Sequence, residues 1–208
     1  MTGLLFPDLV PMLPPERPAP RYDLRKEPRR PRHRDDWYCE RPQAVLKLLF
    51  VELIKGPALD PCCGRGNIPK MLRGAGIQCL GSDIRDRGFE GVVADFLDPG
   101  FRLPAGVRTI MYNPPFRNAQ AFVQRALGLG VDKVCALLPL TFLEGGKRYR
   151  WYMEGGLVRV WVFSSRESMP PGDLLEAGEI EPEGGKKAFA WFVWERGWRG
   201  PWQGGWLP

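Results

Sequence analysis

From Ala58 onward the chain repeatedly sets a short apolar run before an acidic or amide residue, a turn rich in glycine or proline, and then a stretch of helical spacing. Short apolar runs separated by helical segments are the pattern of strands joined by helical crossovers, which restricts the chain to an α/β sheet with its ligand site at the carboxyl ends of the strands. Ala58 to Asp60 ends a first strand. Ile77 to Leu80 runs into Gly81-Ser82-Asp83, Gly91 to Ala94 into Asp95-Phe96, and Arg108 to Tyr112 into Asn113-Pro114-Pro115-Phe116. Lys133 to Leu138 makes a fifth strand, and Val158 to Phe163 and Ala188 to Trp194 read as two more. Between them, Asn67 is placed to cap a helix with Pro69 in its first turn and Gly74 and Gly76 at its end, and Asn118 opens a helix to about Leu129. Ahead of the first strand, Pro42 opens a helix with a broad apolar face that Gly56-Pro57 stops.

A length of 208 residues suits one compact domain. The stretch from Pro7 to Arg34 is dense in proline and arginine and has no apolar periodicity, so residues 1–34 are expected to form an extended arm and 35–208 the domain. The longest apolar stretch, Ala44 to Ile54, is interrupted by Lys47 and Glu52 and is too short for a membrane span, and the amino terminus lacks a secretory pattern. The expectation is a cytoplasmic protein. Its 5 cysteines, Cys39, Cys62, Cys63, Cys79 and Cys135, contain no Cys-x-x-Cys pair and suggest neither a disulfide framework nor a metal site. A formal charge of +6 suits contact with a polyanion, and equally suits mere solubility.

The first strand is followed by Asp60-Pro61-Cys62-Cys63-Gly64-Arg65-Gly66-Asn67. Pro69 stands where a dinucleotide fingerprint would have its third glycine, and no Gly-Lys-Ser/Thr follows, so the loop is neither a dinucleotide nor a phosphate loop. Its glycines would let a ligand approach the backbone. The Asp60 carboxylate just before them would repel a pyrophosphate and attract a cation such as the amino-acid end of S-adenosylmethionine. Asp83 at the second strand end can accept from ribose hydroxyls, and Asp95 at the third from an adenine amino group, with Phe96 beside it to stack. Singly each aspartate is an ordinary turn residue. On successive strand ends they line one crevice.

The fourth strand ends in Asn113-Pro114-Pro115-Phe116. Methylating an aromatic or amide nitrogen is hard because its lone pair is delocalised, and two acceptors aimed at the amino hydrogens would turn that lone pair toward a methyl donor. The Asn113 side-chain oxygen and the Pro114 carbonyl can supply them, the prolines stiffen the turn, and Phe116 can stack on a planar acceptor. No strong base is required, in keeping with a single histidine, His33, placed in the basic arm.

These residues resemble the Rossmann-like, class I S-adenosylmethionine-dependent methyltransferases, in the amino-methylating branch that carries Asn/Asp-Pro-Pro-aromatic. The likeness runs from about Trp37 to Trp194. It implies a seven-stranded mixed sheet, six strands parallel and one antiparallel, with helices on both faces. It further implies that Asp60, Cys62, Gly64 and Gly66 bind the amino-acid moiety of S-adenosylmethionine, Asp83 the ribose and Asp95 with Phe96 the adenine. Trp37 and Tyr38 would line the cofactor, and Asn113, Pro114, Pro115 and Phe116 would form the catalytic turn. The motif order is the family's gamma arrangement, and the carboxyl-terminal stretch from Ala190 to Leu207 is similar to small phage- or prophage-type DNA adenine methyltransferases. Cys63 departs from the smaller residue common there. The chain also has no room for a separate target-recognition domain, which bears on whether it reads base edges in a duplex.

Lys147, Arg148 and Arg150, close to Trp151 and Tyr152, suit either a base-stacking, backbone-tracking surface or an amphipathic surface helix. Trp191, Trp194, Trp198, Trp202 and Trp206 read mainly as core and edge packing. The expected reaction is methylation of adenine N6 in DNA. Ribosomal RNA adenine or a protein glutamine amide is the alternative acceptor, a non-catalytic nucleic-acid-binding module on the same fold a further reading, and a small-molecule acceptor the least favoured.

Overall fold

The computed structural model describes residues 35–146, 148, 149, 152, 155–178 and 187–208. The arm expected at 1–34 lies outside these residues, as do Lys147, Arg150 and Trp151. The elements run α1 (Pro42–Leu49), β1 (Ala58–Asp60), α2 (Asn67–Gly74), β2 (Cys79–Asp83), β3 (Val92–Val93), β4 (Thr109–Tyr112), α3 (Ala119–Gly128), β5 (Lys133–Pro139), β6 (Leu157–Phe163), α4 (Gly172–Glu176), β7 (Phe189–Glu195) and β8 (Gln203–Leu207).

The sheet has eight strands in the order β3-β2-β1-β4-β5-β7-β6-β8. β1, β2, β3, β4 and β5 pair in parallel, β7 runs antiparallel to both β5 and β6, and β8 returns parallel to β6. The reversed strand agrees with the expectation of one antiparallel member. The count of seven is corrected to eight. The additional strand, Gln-Gly-Gly-Trp-Leu, has glycines where an apolar alternation would be legible, and it is held by backbone pairing with β6 and by the burial of Leu207 alone among its side chains.

β1 and β4 are buried at every position, as strands covered on both faces must be. Their side chains still alternate between two cores. Met111, Leu137, Trp191 and Val193 pack on one face with Leu46 and Leu49 of α1 and Ile68 and Leu72 of α2. Ile110, Tyr112, Val134, Phe192 and Trp194 pack on the other with Phe122 and Val123 of α3. Helices therefore cover both faces. Pro42 at the start of α1 costs that helix no hydrogen bond, because the first turn has no intrahelical partner for its N–H. Trp191 and Trp194 are core residues as read from the sequence, whereas Trp206 is 71% exposed and Trp202 also faces solvent.

Below the sheet, at the amino-terminal end of β5, Glu52 is buried and accepts from Arg159 Nε at 2.6 Å and Trp161 Nε1 at 2.9 Å, with Lys133 Nζ as a third donor. Glu195 of β7 joins the same cations. At the other end, strand order reverses direction about β1, which has β2 on one side and β4 on the other, and a crevice opens outside their carboxyl ends. No helix among the described residues is long and apolar enough to cross a membrane.

Candidate functional site

The crevice is a cavity of about 430 Å³ lined from four directions: the segment Asp35–Glu40, the loop after β1, the ends of β2 and β3, and the turn after β4. Trp37, Tyr38, Cys62, Gly64, Asp83, Asp95, Phe96, Asn113 and Pro115 all border it. Residues far apart in sequence thus meet where the topology places a ligand.

Each expected residue has its own geometry. The Asp83 carboxylate accepts from Gly64 N at 2.9 Å through one oxygen, and from Arg85 N at 3.1 Å and Arg87 Nε at 3.4 Å through the other. Arg87 stacks its guanidinium 4.0 Å above the Trp37 ring and also pairs with Asp35. Asp60 is 1% exposed and stands behind the wall, accepting from Cys62 N at 3.1 Å. Burial, together with the nearby charge of Glu40, pushes its carboxyl well above the usual range. Asp95 is exposed at the mouth and accepts from Leu97 N at 2.9 Å.

Three expectations change in detail. The glycines of the first loop admit neighbouring aromatic rings as much as any ligand. A Cβ on Gly64 would fall 2.8 Å from Trp37 Nε1, and one on Gly66, which does not border the cavity, would fall 2.2 Å from the Phe89 ring. The Phe96 ring is turned into the core against Phe101, Tyr112 and Phe122, so its burial leaves little face for stacking on a base. Phe116 lies beside the cavity rather than in its wall, stacked on Tyr38 with centroids 5.8 Å apart and leaning on Phe189. Pro114 is buried behind Asn113. Of the basic cluster after β5, Arg148 folds back over the Phe142 ring and onto the Thr141 and Glu144 carbonyls.

Asn113 is the most constrained of the set. It is 8% exposed, and its Nδ2 donates to the Tyr38 carbonyl at 2.8 Å and to Glu40 Oε2 at 2.9 Å. Both partners are acceptors, which fixes which end of the amide is nitrogen. Its Oδ1 is buried and has no hydrogen-bond partner among the described residues. A buried acceptor without a partner costs about 1–3 kcal/mol, so it marks a place where a ligand donor would be welcome. The cysteines nearby are held as neutral thiols: burial, with Glu40 beside it, raises Cys39 to about 12, and burial next to Asp60 pushes Cys62 up.

Glu40, Asp36 and Arg87 also border the cavity and were not among the residues expected from the sequence. Asp36 is buried at φ 55° and accepts from Arg117 N at 2.8 Å, pinning the lead-in segment to the turn after β4. The one hint for Glu40 was an acidic residue set between Trp37-Tyr38 and an apolar helix. Among the described residues no cluster of His, Cys, Asp or Glu has the arrangement of a metal site.

No family model matches the sequence, and no curated protein matches it. Among solved structures, a dimethyladenosine transferase from Plasmodium falciparum superposes with a TM-score of 0.50 at 12% identity, over 75% of this chain and 61% of its own. The chain has a Rossmann-like methyltransferase fold. A chain of a type I restriction–modification system matches with a TM-score of 0.49 at 16% identity, over 86% of this chain and 46% of its own. Magnesium protoporphyrin IX methyltransferase from Synechocystis PCC 6803, solved with bound S-adenosylmethionine, gives 0.46 at 13% identity, over 74% and 79%. This chain thus spans less than two thirds of the first two.

Proposed function

We propose that this chain is an S-adenosylmethionine-dependent methyltransferase whose acceptor is an exocyclic amino nitrogen, adenine N6 in DNA first among the candidates. The observation that carries the reading is the Asn113 amide, which borders the cavity at the carboxyl end of β4, is locked by two acceptors on its nitrogen, and has a buried Oδ1 with no partner among the described residues.

The residues present fit the donor. The cavity is within the size range of cofactor sites, and the carboxylates of Glu40, Asp60 and Asp83 gathered around it suit a ligand that carries an ammonium and a sulfonium. Asp83 would hold the ribose hydroxyls with Arg87 giving way, Asp95 the adenine amino group, and the loop from Asp60 to Gly64 the amino-acid end. The bound donor supplies an electrophilic methyl group on sulfur. Asn113 Oδ1 and the Pro114 carbonyl would each accept an amino hydrogen, turning the nitrogen lone pair toward that methyl. Transfer of that methyl to the nitrogen would leave the C–S electron pair on sulfur, and the proton lost from the nitrogen would pass to solvent water. Orientation of this kind needs no basic side chain in contact with the amine.

A duplex buries adenine N6 in its stack, so the acceptor must be single-stranded or flipped out. The test offers labelled donor to DNA, RNA and protein pools and identifies the product nucleoside or residue by mass spectrometry. N6-methyladenine from DNA is expected. Label only in RNA or on glutamine would move the acceptor, and no label together with no donor binding by calorimetry would end the reading. In the same assay Asn113→Ala should leave donor affinity within about threefold and lower the rate roughly a hundredfold or more.

A further inference from the structure

Glu40 is buried to 8% exposure, borders the cavity, and holds Asn113 from a position 73 residues earlier in the chain. Asn113 has two side-chain N–H donors, and Glu40 and the Tyr38 carbonyl take both. A carboxylate can only accept, so with Glu40 ionised the amide has one orientation, and its oxygen is left without a partner among the described residues. Charge at one end of an amide also polarises it, and hydrogen bonds in series strengthen one another where the dielectric is low. A protonated Glu40 can donate. The bond from the Asn113 nitrogen would then lose its charge assistance, and the grip on the amide would weaken.

We propose that Glu40 is the positioning residue of the transfer reaction: its carboxylate fixes the Asn113 amide and enriches Oδ1, so that the site works when Glu40 is ionised and idles when it is protonated. The proposal rests on the methyl-transfer reading. Asp60 and Cys62 face Glu40 from the loop after β1, Cys39 adjoins it, and Asn67 at the start of α2 donates to its main-chain carbonyl at 2.9 Å. Each of the titratable neighbours is neutral or negative, and no lysine or arginine pairs with Glu40 among the described residues. Burial without a cation pushes its carboxyl up to about 7, partly offset by the Asn113 hydrogen bond. The change of state therefore falls in the working range of pH.

The experiment has an arm that needs no turnover. In protein labelled with ¹⁵N in asparagine side chains, the Asn113 amide signal, assigned by its loss in Asn113→Ala, should titrate with a midpoint near 7 in the parent and stay flat in Glu40→Gln. In the kinetic arm, kcat of the parent should rise with pH through the same region. Glu40→Gln should bind donor within about threefold of the parent, lose the pH limb, and turn over roughly tenfold more slowly. Being isosteric, it keeps the cavity filled. An amide signal that does not move in the parent, or a Glu40→Gln protein with the parent's rate and pH limb, overturns the proposal. A parent that transfers no methyl group to any acceptor at any pH sinks the methyl-transfer reading and this proposal with it, an outcome distinct from an active parent whose Glu40 variant is equally active.

Discussion

The residues that the sequence announced are those whose role depends on a near neighbour. Asp60 precedes its glycines directly, and Asn113 sits inside Asn-Pro-Pro-Phe, so both could be read from a few adjacent letters. Glu40 and Asp36 act through contacts with Asn113 and Arg117 across more than a third of the chain, and nothing local marks such pairs. The same gap explains Phe96 and Phe116, whose rings were assigned to a ligand and are claimed instead by the core and by Tyr38. Gly64 shows how local reading can be right about residue type for another reason. At φ +50° with the Trp37 indole 2.8 Å from any added Cβ, Gly64→Val must distort the backbone and move Trp37. We expect it to lower stability by about 1–3 kcal/mol, in addition to weakening donor binding. Urea denaturation in the absence of donor checks this, and a stability equal to the parent's would mean that Trp37 moves freely.

At the scale of elements, β1, β4 and β5 were legible because they are continuous apolar runs ended by a turn residue, and β2 was placed early because the glycine within it read as the turn itself. β8 was invisible for a structural reason as well as a compositional one: a Cβ on Gly205 would fall 2.2 Å from the Trp161 ring, so close approach of β8 to β6 demands the glycine that hides the strand. The buried carboxylate of Glu52 and the half-buried cations of Lys133 and Arg159 tie the segment after α1 to β5 and β6, with Glu195 of β7 completing the set. Their mutual attraction pulls the Glu52 carboxyl below its ordinary range despite burial. Removing Glu52 leaves two half-buried cations with Glu195 as their remaining partner, so Glu52→Ala should cost about 1–3 kcal/mol. Because this network lies at the opposite end of the strands from the cavity, donor affinity of the folded variant should be unchanged, as calorimetry below the melting temperature would establish.

For the molecule as a whole, these two kinds of buried carboxyl pull stability in opposite directions with pH. Glu52, depressed in the folded state, contributes stability above its ordinary value that is lost on acidification. Glu40 is raised from 4.5 to about 7, so the folded state holds its proton where the unfolded chain has released it. Its contribution is complete below about 4.5 and is lost as pH rises through 7, a difference of about 3 kcal/mol. Glu40→Gln should therefore gain stability over the parent between pH 5 and pH 8, approaching that figure, as urea melts at the two values would register. An unchanged difference would place Glu40 in contact with water. The gathering of Glu40 and Asp60 around one cavity has a thermochemical consequence too. A ligand of net positive charge arriving there, its ammonium and sulfonium outweighing its one carboxylate, lowers the proton affinity of both carboxyls, so near neutral pH the protein would discharge hydrogen ions into the solution as it fills. The heat of binding would then vary linearly with the ionisation enthalpy of the buffer, and the slope would count the protons released.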